Sequence, residues 1–228
     1  VSGTVRAGSR FHELSANVHA WSHLYAIVDA GVAIRAGWAP RDLARAYLDG
    51  GARLLQLRAT GVDRATLLDW CQEIVGLAAP VGARVIVNDF CDLVLMAGAD
   101  GVHLGQNDLP VETARRLLGT EAIIGLSTHD DEQVEASARQ PLSYVAIGPV
   151  YDTGTKDTGY AAVGLEAVRR TSVAAGTRPV VAIGGITVAT APDVIAAGAA
   201  SIAVISDLLT GGDPARRVSE YLDALGGP

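Results

Sequence analysis

An α/β fold, a closed (β/α)8 barrel of the TIM type in a single domain, is what the sequence predicts, and three observations carry the prediction. Eight short apolar runs recur along the chain, the stretches between them carry helical spacing with recognisable ends, and one helix-to-strand corner is used three times. The runs are near-continuously hydrophobic rather than alternating, which suits parallel strands covered on both faces. The corner reads Gly51-Ala52-Arg53, Gly98-Ala99-Asp100 and Gly198-Ala199-Ala200, a glycine where a helix exits followed at once by a strand. Eight such units in 228 residues fit one barrel, with an open doubly wound sheet as the alternative.

The elements follow in order. Leu24 to Val28 is the first strand. A helix opens at Pro40, a first-turn proline, places Leu43, Ala46 and Tyr47 on one face and stops at Gly50-Gly51. Leu54 to Leu57 is the second strand, after which Asp63 caps a helix whose apolar stripe is Leu67, Leu68, Cys71, Ile74, Val75 and Ala78. Strands at Val85 to Val87 and Gly101 to Leu104 come next, and Pro110 opens another helix. The series then runs through a strand at Ile123 to Leu126, a helix from Asp130 to Arg139, a strand at Tyr144 to Ile147 and a helix from Gly164 to Ala175. It closes with a strand at Val180 to Ile183, a helix from Thr187 to Ala197, a strand at Ser201 to Ile205 and a helix from Pro214 to Leu225. No linker-like tract divides the chain. We expect a barrel over residues 23–228 behind a short N-terminal extension, 1–22.

Composition narrows the function. A sequence that is 49% hydrophobic and 19% charged can bury a substantial core. A net charge of −7 argues against a surface for nucleic acid, so any anion site must be local. Cys71 and Cys91 lie inside apolar stretches and read as reduced core thiols. The first twenty residues lack the apolar block of a signal peptide, and nothing later approaches the ~18 apolar residues of a membrane span. A cytoplasmic protein is the expectation, with no membrane partner; a homo-oligomer is compatible with the sequence.

In a barrel of this type the residues just after each strand converge on one rim. Here they are Gln56-Leu57-Arg58, Asn88-Asp89, Gln106-Asn107-Asp108, Ser127-Thr128-His129, Thr153-Gly154-Thr155-Lys156, Gly184-Gly185 and Ser206-Asp207. Thr153, Gly154, Thr155 and Lys156 combine short hydroxyl donors, an approachable backbone and a mobile cation, a candidate anion receptor. Arg58 and Lys156 are cations for phosphate oxygens, or members of surface ion pairs. Asp89 and Asp108 are two hard oxygen ligands on neighbouring rims, sparse enough to leave a Mg²⁺ ion open positions for water and substrate phosphate. Read structurally instead, Asp89 is a turn carboxylate and Asp108 a helix cap. Gly184-Gly185 and Ile205-Ser206 fall after strands seven and eight, where this fold commonly builds a phosphate site, or simply form tight turns. One metal, two cations and two anion pockets suggest a pair of small-molecule substrates, one carrying diphosphate, and displacement of pyrophosphate. His103 reads as a satisfied barrel-lining histidine; His129 sits on the rim with its role open.

Taken together, Gln56-Leu57-Arg58, Val87-Asn88-Asp89, the run from Gly98 to Pro110, Ile124 to His129, Gly148-Pro149-Val150-Tyr151 with Thr153, Thr155 and Lys156, and Val181 to Ile186 resemble the thiamine-phosphate synthase family. The resemblance covers nearly everything from Leu24 to the last helix. It implies a Mg²⁺-dependent transferase of thiamine biosynthesis that couples 4-amino-5-hydroxymethyl-2-methylpyrimidine diphosphate with 4-methyl-5-(2-phosphoethyl)thiazole. It further implies that Asp89 and Asp108 hold Mg²⁺, that Gln56, Asn88 and Ser127 contact the pyrimidine, and that Arg58 and Lys156 hold its diphosphate. Thr153, Thr155, Gly185, Ile205 and Ser206 would cradle the thiazole phosphate. Arg58, Ser127 and Lys156 would be the catalytic groups, by leaving-group neutralisation and orientation.

The chain departs from the family pattern twice. Gln-Leu-Arg usually continues to a lysine two residues on, where this chain has Thr60; a threonine adds a hydrogen bond to the diphosphate set but no charge. Asp152 stands where proline is common, beside the phosphate pocket. A related metal-independent thiazole tautomerase, and an impaired thiamine-phosphate-binding or regulatory protein, are the alternatives.

Overall fold

The computed structural model describes residues 22–154 and 159–227. The expected extension over 1–22 falls, save for Ser22, outside the described residues, as do Thr155 and Lys156.

Eight parallel strands close into a barrel in chain order, β1 pairing with both β2 and β8. They are β1 (Leu24–Asp29), β2 (Leu54–Arg58), β3 (Arg84–Asn88), β4 (Gly101–Leu104), β5 (Ile123–Thr128), β6 (Tyr144–Ile147), β7 (Val180–Ile183) and β8 (Ser201–Val204). The helices are α1 (Ala30–Arg35), α2 (Pro40–Asp49), α3 (Arg64–Ala78), α4 (Cys91–Ala97), α5 (Val111–Leu118), α6 (Asp131–Ser137), α7 (Gly164–Ala175), α8 (Ala191–Ala196) and α9 (Pro214–Ala224). The closed sheet rules out the open doubly wound alternative.

Most expected ends hold. Pro40 lies in the first turn of α2, and the Asp63 side chain accepts from Thr66 N–H at 2.9 Å to cap α3. Two helices were not marked in the sequence. α1 follows β1 directly and is capped by Asp29, whose carboxylate accepts from Val32 N–H at 2.9 Å. α4 reads Cys-Asp-Leu-Val-Leu-Met-Ala, so apolar that no polar face reveals its period. The helix expected from Thr187 begins only at Ala191. Thr190 Oγ1 accepts from Thr187 N–H at 3.0 Å, closing a separate turn ahead of Pro192.

Alternation along the strands sorts the core into two parts. Leu24, Ala26 and Val28 join the large apolar layer between sheet and helices, whereas Tyr25 and Ile27 face the barrel interior with Leu54, Ile86, Tyr144, Ala146, Val181 and Ala203. Tyr144 fits there because β5 carries Gly125 opposite it. A Cβ at Gly125 would sit 2.0 Å from Tyr144 Cζ. Gly125→Ala is therefore expected to cost about 1–3 kcal/mol by overpacking, read as a lowered urea midpoint. A loss below about 0.5 kcal/mol would mean that Tyr144 moves aside freely.

Burial pushes the Cys71 thiol up to about 12, and Cys91 also rises. Both are unpaired and buried, behaving as small apolar side chains. No described helix is long and apolar enough to cross a membrane.

Candidate active site

The strand ends open on a cavity of about 310 Å³, the size at which small-molecule sites begin. Its floor is apolar, made by Ile27, Ala146, Val181 and Ala203; its rim carries Gln56, Arg58, Asn88, Asp89, Asp108, Ser127, His129 and Thr153. A second cavity of about 320 Å³ adjoins it, bordered by Thr153, Gly185, Ile205, Ser206 and the carboxylate-bearing Asp152 and Asp207. Thr153, Ile183, Gly184, Ala203 and Ile205 belong to both walls. Thr60 lies apart, exposed on the loop after β2 and lining neither cavity.

Each polar side chain has a local reason for its place. Asp29 and Arg58 are paired in register on β1 and β2, and an ion pair joins Arg58 Nη1 to Asp29 Oδ2. Their side chains are only 17% and 8% exposed, so each charge depends on the other. Arg58 is thus a half-buried guanidinium held from below, its remaining donors free to face the cavity. Asp29 was not singled out in the sequence, where the first strand is expected to end at Val28; in the structure it is the last residue of β1.

Asp89 has φ 68°, the one positive value at a non-glycine among the described residues. Its N–H donates to His103 O at 2.8 Å, and Phe90 N–H reaches back to Asn88 O at 2.9 Å. This three-residue turn is a costly conformation that aspartate tolerates better than most residues, and it sits at the cavity wall. Asp108 is no helix cap: Pro110 occupies that position in α5, and the Asp108 carboxylate turns back to accept from Gly105 N–H at 2.6 Å.

His103 uses both ring nitrogens, Nδ1 lying 2.8 Å from Tyr144 Oη and Nε2 2.8 Å from Ser127 Oγ. It is the satisfied barrel-lining histidine expected. His129 donates from Nδ1 to Gly148 O at 2.6 Å and stacks on Tyr160 with centroids 4.0 Å apart. Across the second cavity, Gly184 and Gly185 have φ 103° and 64°, and a Cβ at Gly185 would lie 2.6 Å from Asp152 O. Only glycine lets those two loops close together. The 3₁₀ turn Ser206–Leu209 is anchored through Asp207 Oδ2, which accepts from Tyr221 Oη at 2.6 Å and Arg217 Nη2 at 2.8 Å.

A family model described as thiamine monophosphate synthase matches residues 24–208. The chain belongs to this family. Its relatives include the thiamine-phosphate synthase of Methanoculleus marisnigri, 43% identical across 83% of this chain and 89% of that protein. That of Chlorobium limicola is 41% identical across 82% and 88%. Among solved structures, a thiamine phosphate pyrophosphorylase from Pyrococcus furiosus superposes with a TM-score of 0.80 at 28% identity, covering 89% of this chain and 95% of that one. The resemblance expected from the motifs therefore holds: the chain is a thiamine-phosphate synthase-type transferase, an enzyme of thiamine biosynthesis.

Proposed function

We propose that the two adjoining cavities divide the substrates of thiamine-phosphate synthesis between them, the barrel mouth taking the pyrimidine diphosphate and the second cavity the thiazole phosphate. The observation that carries this reading is the shared wall, which brings two differently equipped pockets into contact.

In the first, Gln56, Asn88 and Ser127 would hold the pyrimidine ring over the apolar floor, while Arg58 and Lys156 grip its diphosphate. In the second, Thr153, Thr155, Ile205 and Ser206 would surround the thiazole phosphate, with Gly185 letting its backbone approach. Across the shared wall the thiazole nitrogen would face the pyrimidine methylene. A C–N bond forms there, the C–O bond breaks, and pyrophosphate leaves with the bonding electrons. Arg58, oriented by Asp29, would stabilise that departing charge without reorganising, and the apolar floor would keep water from the electron-poor carbon. No protein nucleophile is required.

The family implies Mg²⁺. No group of three His, Cys, Asp or Glu that could hold a metal occurs among the described residues. Asp89 and Asp108 nonetheless border one cavity, and Mg²⁺ commonly keeps its waters and takes one or two carboxylates plus substrate phosphate, so this donor set fits. When bound, the ion would neutralise diphosphate charge. A cytoplasmic location goes with this reading, as do substrates that are soluble phosphate esters.

The test is pyrophosphate release. It should require both substrates and Mg²⁺ and stop in chelator; no release at any substrate concentration would reject the reading. Thr60→Lys, which returns the family's second cation to the loop after β2, from which a long side chain could reach toward the cavity mouth, should keep the enzyme active or quicken it by up to about tenfold. A tenfold loss would show that a cation at position 60 does not serve the diphosphate in this chain.

A further inference from the structure

The second cavity would have to hold a phosphate, yet the charged side chains that line it among the described residues are two carboxylates, Asp152 and Asp207. The hydroxyls of Thr153, Thr187, Ser206 and Thr210 make up the rest of its polar side chains. Asp152 is exposed, and water and salt screen it. Asp207 is sheltered: its side chain is 18% exposed, and there an uncompensated negative charge would repel a phosphate dianion.

What compensates it comes from behind, from α9. Arg217 reaches Asp207 Oδ2 with Nη2 at 2.8 Å and Nε at 3.1 Å, and Nε also lies 3.3 Å from the Asp207 carbonyl oxygen. Tyr221 Oη, one turn further along the helix, lies 2.6 Å from the same Oδ2 and 3.1 Å from Ile186 O in the loop after β7. Burial, with the Asp207 carboxylate beside it, raises the Tyr221 phenol far above its ordinary range, so it remains a donor. Three donors from α9 thus converge on one carboxylate oxygen.

Arg217 has a second carboxylate partner, which bears on how much of its charge is left for Asp207. Its Nη1 meets Glu220 Oε2 at 2.9 Å, but Glu220 is 35% exposed and also takes Arg216 Nε at 3.0 Å. Arg216 and water therefore serve Glu220, and the Arg217 charge falls chiefly on the sheltered Asp207. Arg217 itself lines neither cavity.

We propose that Arg217 is a positioning residue for phosphate binding in the second cavity. Acting through Asp207, it cancels the sheltered negative charge of the lining and holds that carboxylate back against α9, so that a phosphate dianion meets hydroxyls and backbone rather than a bare anion. The inference rests on the thiazole phosphate occupying this cavity, and it gives a helix outside both cavities a part in preferring a phosphorylated over an unphosphorylated thiazole.

Binding and kinetics of the full chain test it. Calorimetric titration with 4-methyl-5-(2-phosphoethyl)thiazole and with its 2-hydroxyethyl counterpart reads the phosphate preference directly. Arg217→Gln should weaken binding of the phosphate ester about tenfold and that of the alcohol by less than about twofold. Arg217→Lys, which keeps the charge, should retain most of the preference. Adding Asp207→Asn to Arg217→Gln should bring phosphate binding back to within about threefold of wild type, since no bare anion remains. In steady state, KM for the thiazole phosphate should rise about tenfold in Arg217→Gln while KM for the pyrimidine diphosphate holds. An equal loss on both thiazoles would mark Arg217 as merely structural and overturn the proposal. A full phosphate preference in Arg217→Gln, or no recovery in the double variant, would overturn it too. A wild type with no preference for the phosphate ester rejects the placement of that phosphate in this cavity, and this inference with it.

Discussion

Asp89→Ala is expected to lower kcat/KM for pyrophosphate release by about 10³-fold, roughly 4 kcal/mol of transition-state stabilisation. Two effects combine at this position. Among the described residues the carboxylate is one of two at the mouth of the first cavity suited to a hard cation on the diphosphate, and its loss leaves Asp108 as the other. The backbone at φ 68° also disfavours alanine, which would pull the turn between β3 and α4 toward an ordinary conformation. Asp89→Asn separates the two, because asparagine tolerates the left-handed region while lacking charge. Its rate should stay at least about 10²-fold below wild type and recover in part at high Mg²⁺. A steady-state assay showing Asp89→Ala within tenfold of wild type would remove Asp89 from the diphosphate site.

The second large effect is on stability. Asp29→Ala should cost about 3–5 kcal/mol, because it leaves the Arg58 guanidinium without its partner at a position only 17% exposed and strips the cap from α1. Asp29→Asn keeps an acceptor for Val32 N–H but no charge beside Arg58, so it should recover only the cap's share, about 1 kcal/mol. The double change Asp29→Ala with Arg58→Ala should recover part of the loss, since no uncompensated charge remains. Chemical denaturation of wild type, Asp29→Ala, Arg58→Ala and the double variant reads the cycle. If Asp29→Ala loses only about 1 kcal/mol, the cap is the whole contribution and Arg58 is adequately solvated from the cavity.

The barrel was legible because parallel strands buried on both faces must be apolar throughout, and eight such runs stood out between glycines and caps. Leu24 to Asp29 shows the limit. In sequence Leu24 to Val28 is one hydrophobic run followed by a carboxylate, yet Tyr25 and Ile27 face the interior, Asp29 meets Arg58 at the rim, and the even positions face the helices. A polar residue on the inward register of a strand was the available signal for Asp29, Tyr25 and Tyr144, and it needs the register to be read. α4 escaped for the opposite reason, being too uniformly apolar to display a period. Rim residues such as Gln56, Asn88, Asp89 and Ser127 were found because strand ends are fixed by the strands themselves, and polar side chains there stand out. The pairing of Arg58 with Asp29, and the return of Asp108 to Gly105, are contacts that no linear pattern encodes.

The five residues common to both cavity walls give the enzyme a single mould rather than two receptors. A molecule that joins the two halves touches both compartments at once, and it can leave only by giving up both sets of contacts together. Its grip should therefore exceed that of either half, by the same effective-concentration argument that makes a bivalent ligand outlast its parts. If the two cavities do hold the two substrates as proposed, departure of the joined product would be a slow step of turnover, readable as a burst of pyrophosphate ahead of the steady state. Accumulated end product would hold the barrel closed to fresh substrates, a throttle on supply that needs no second site.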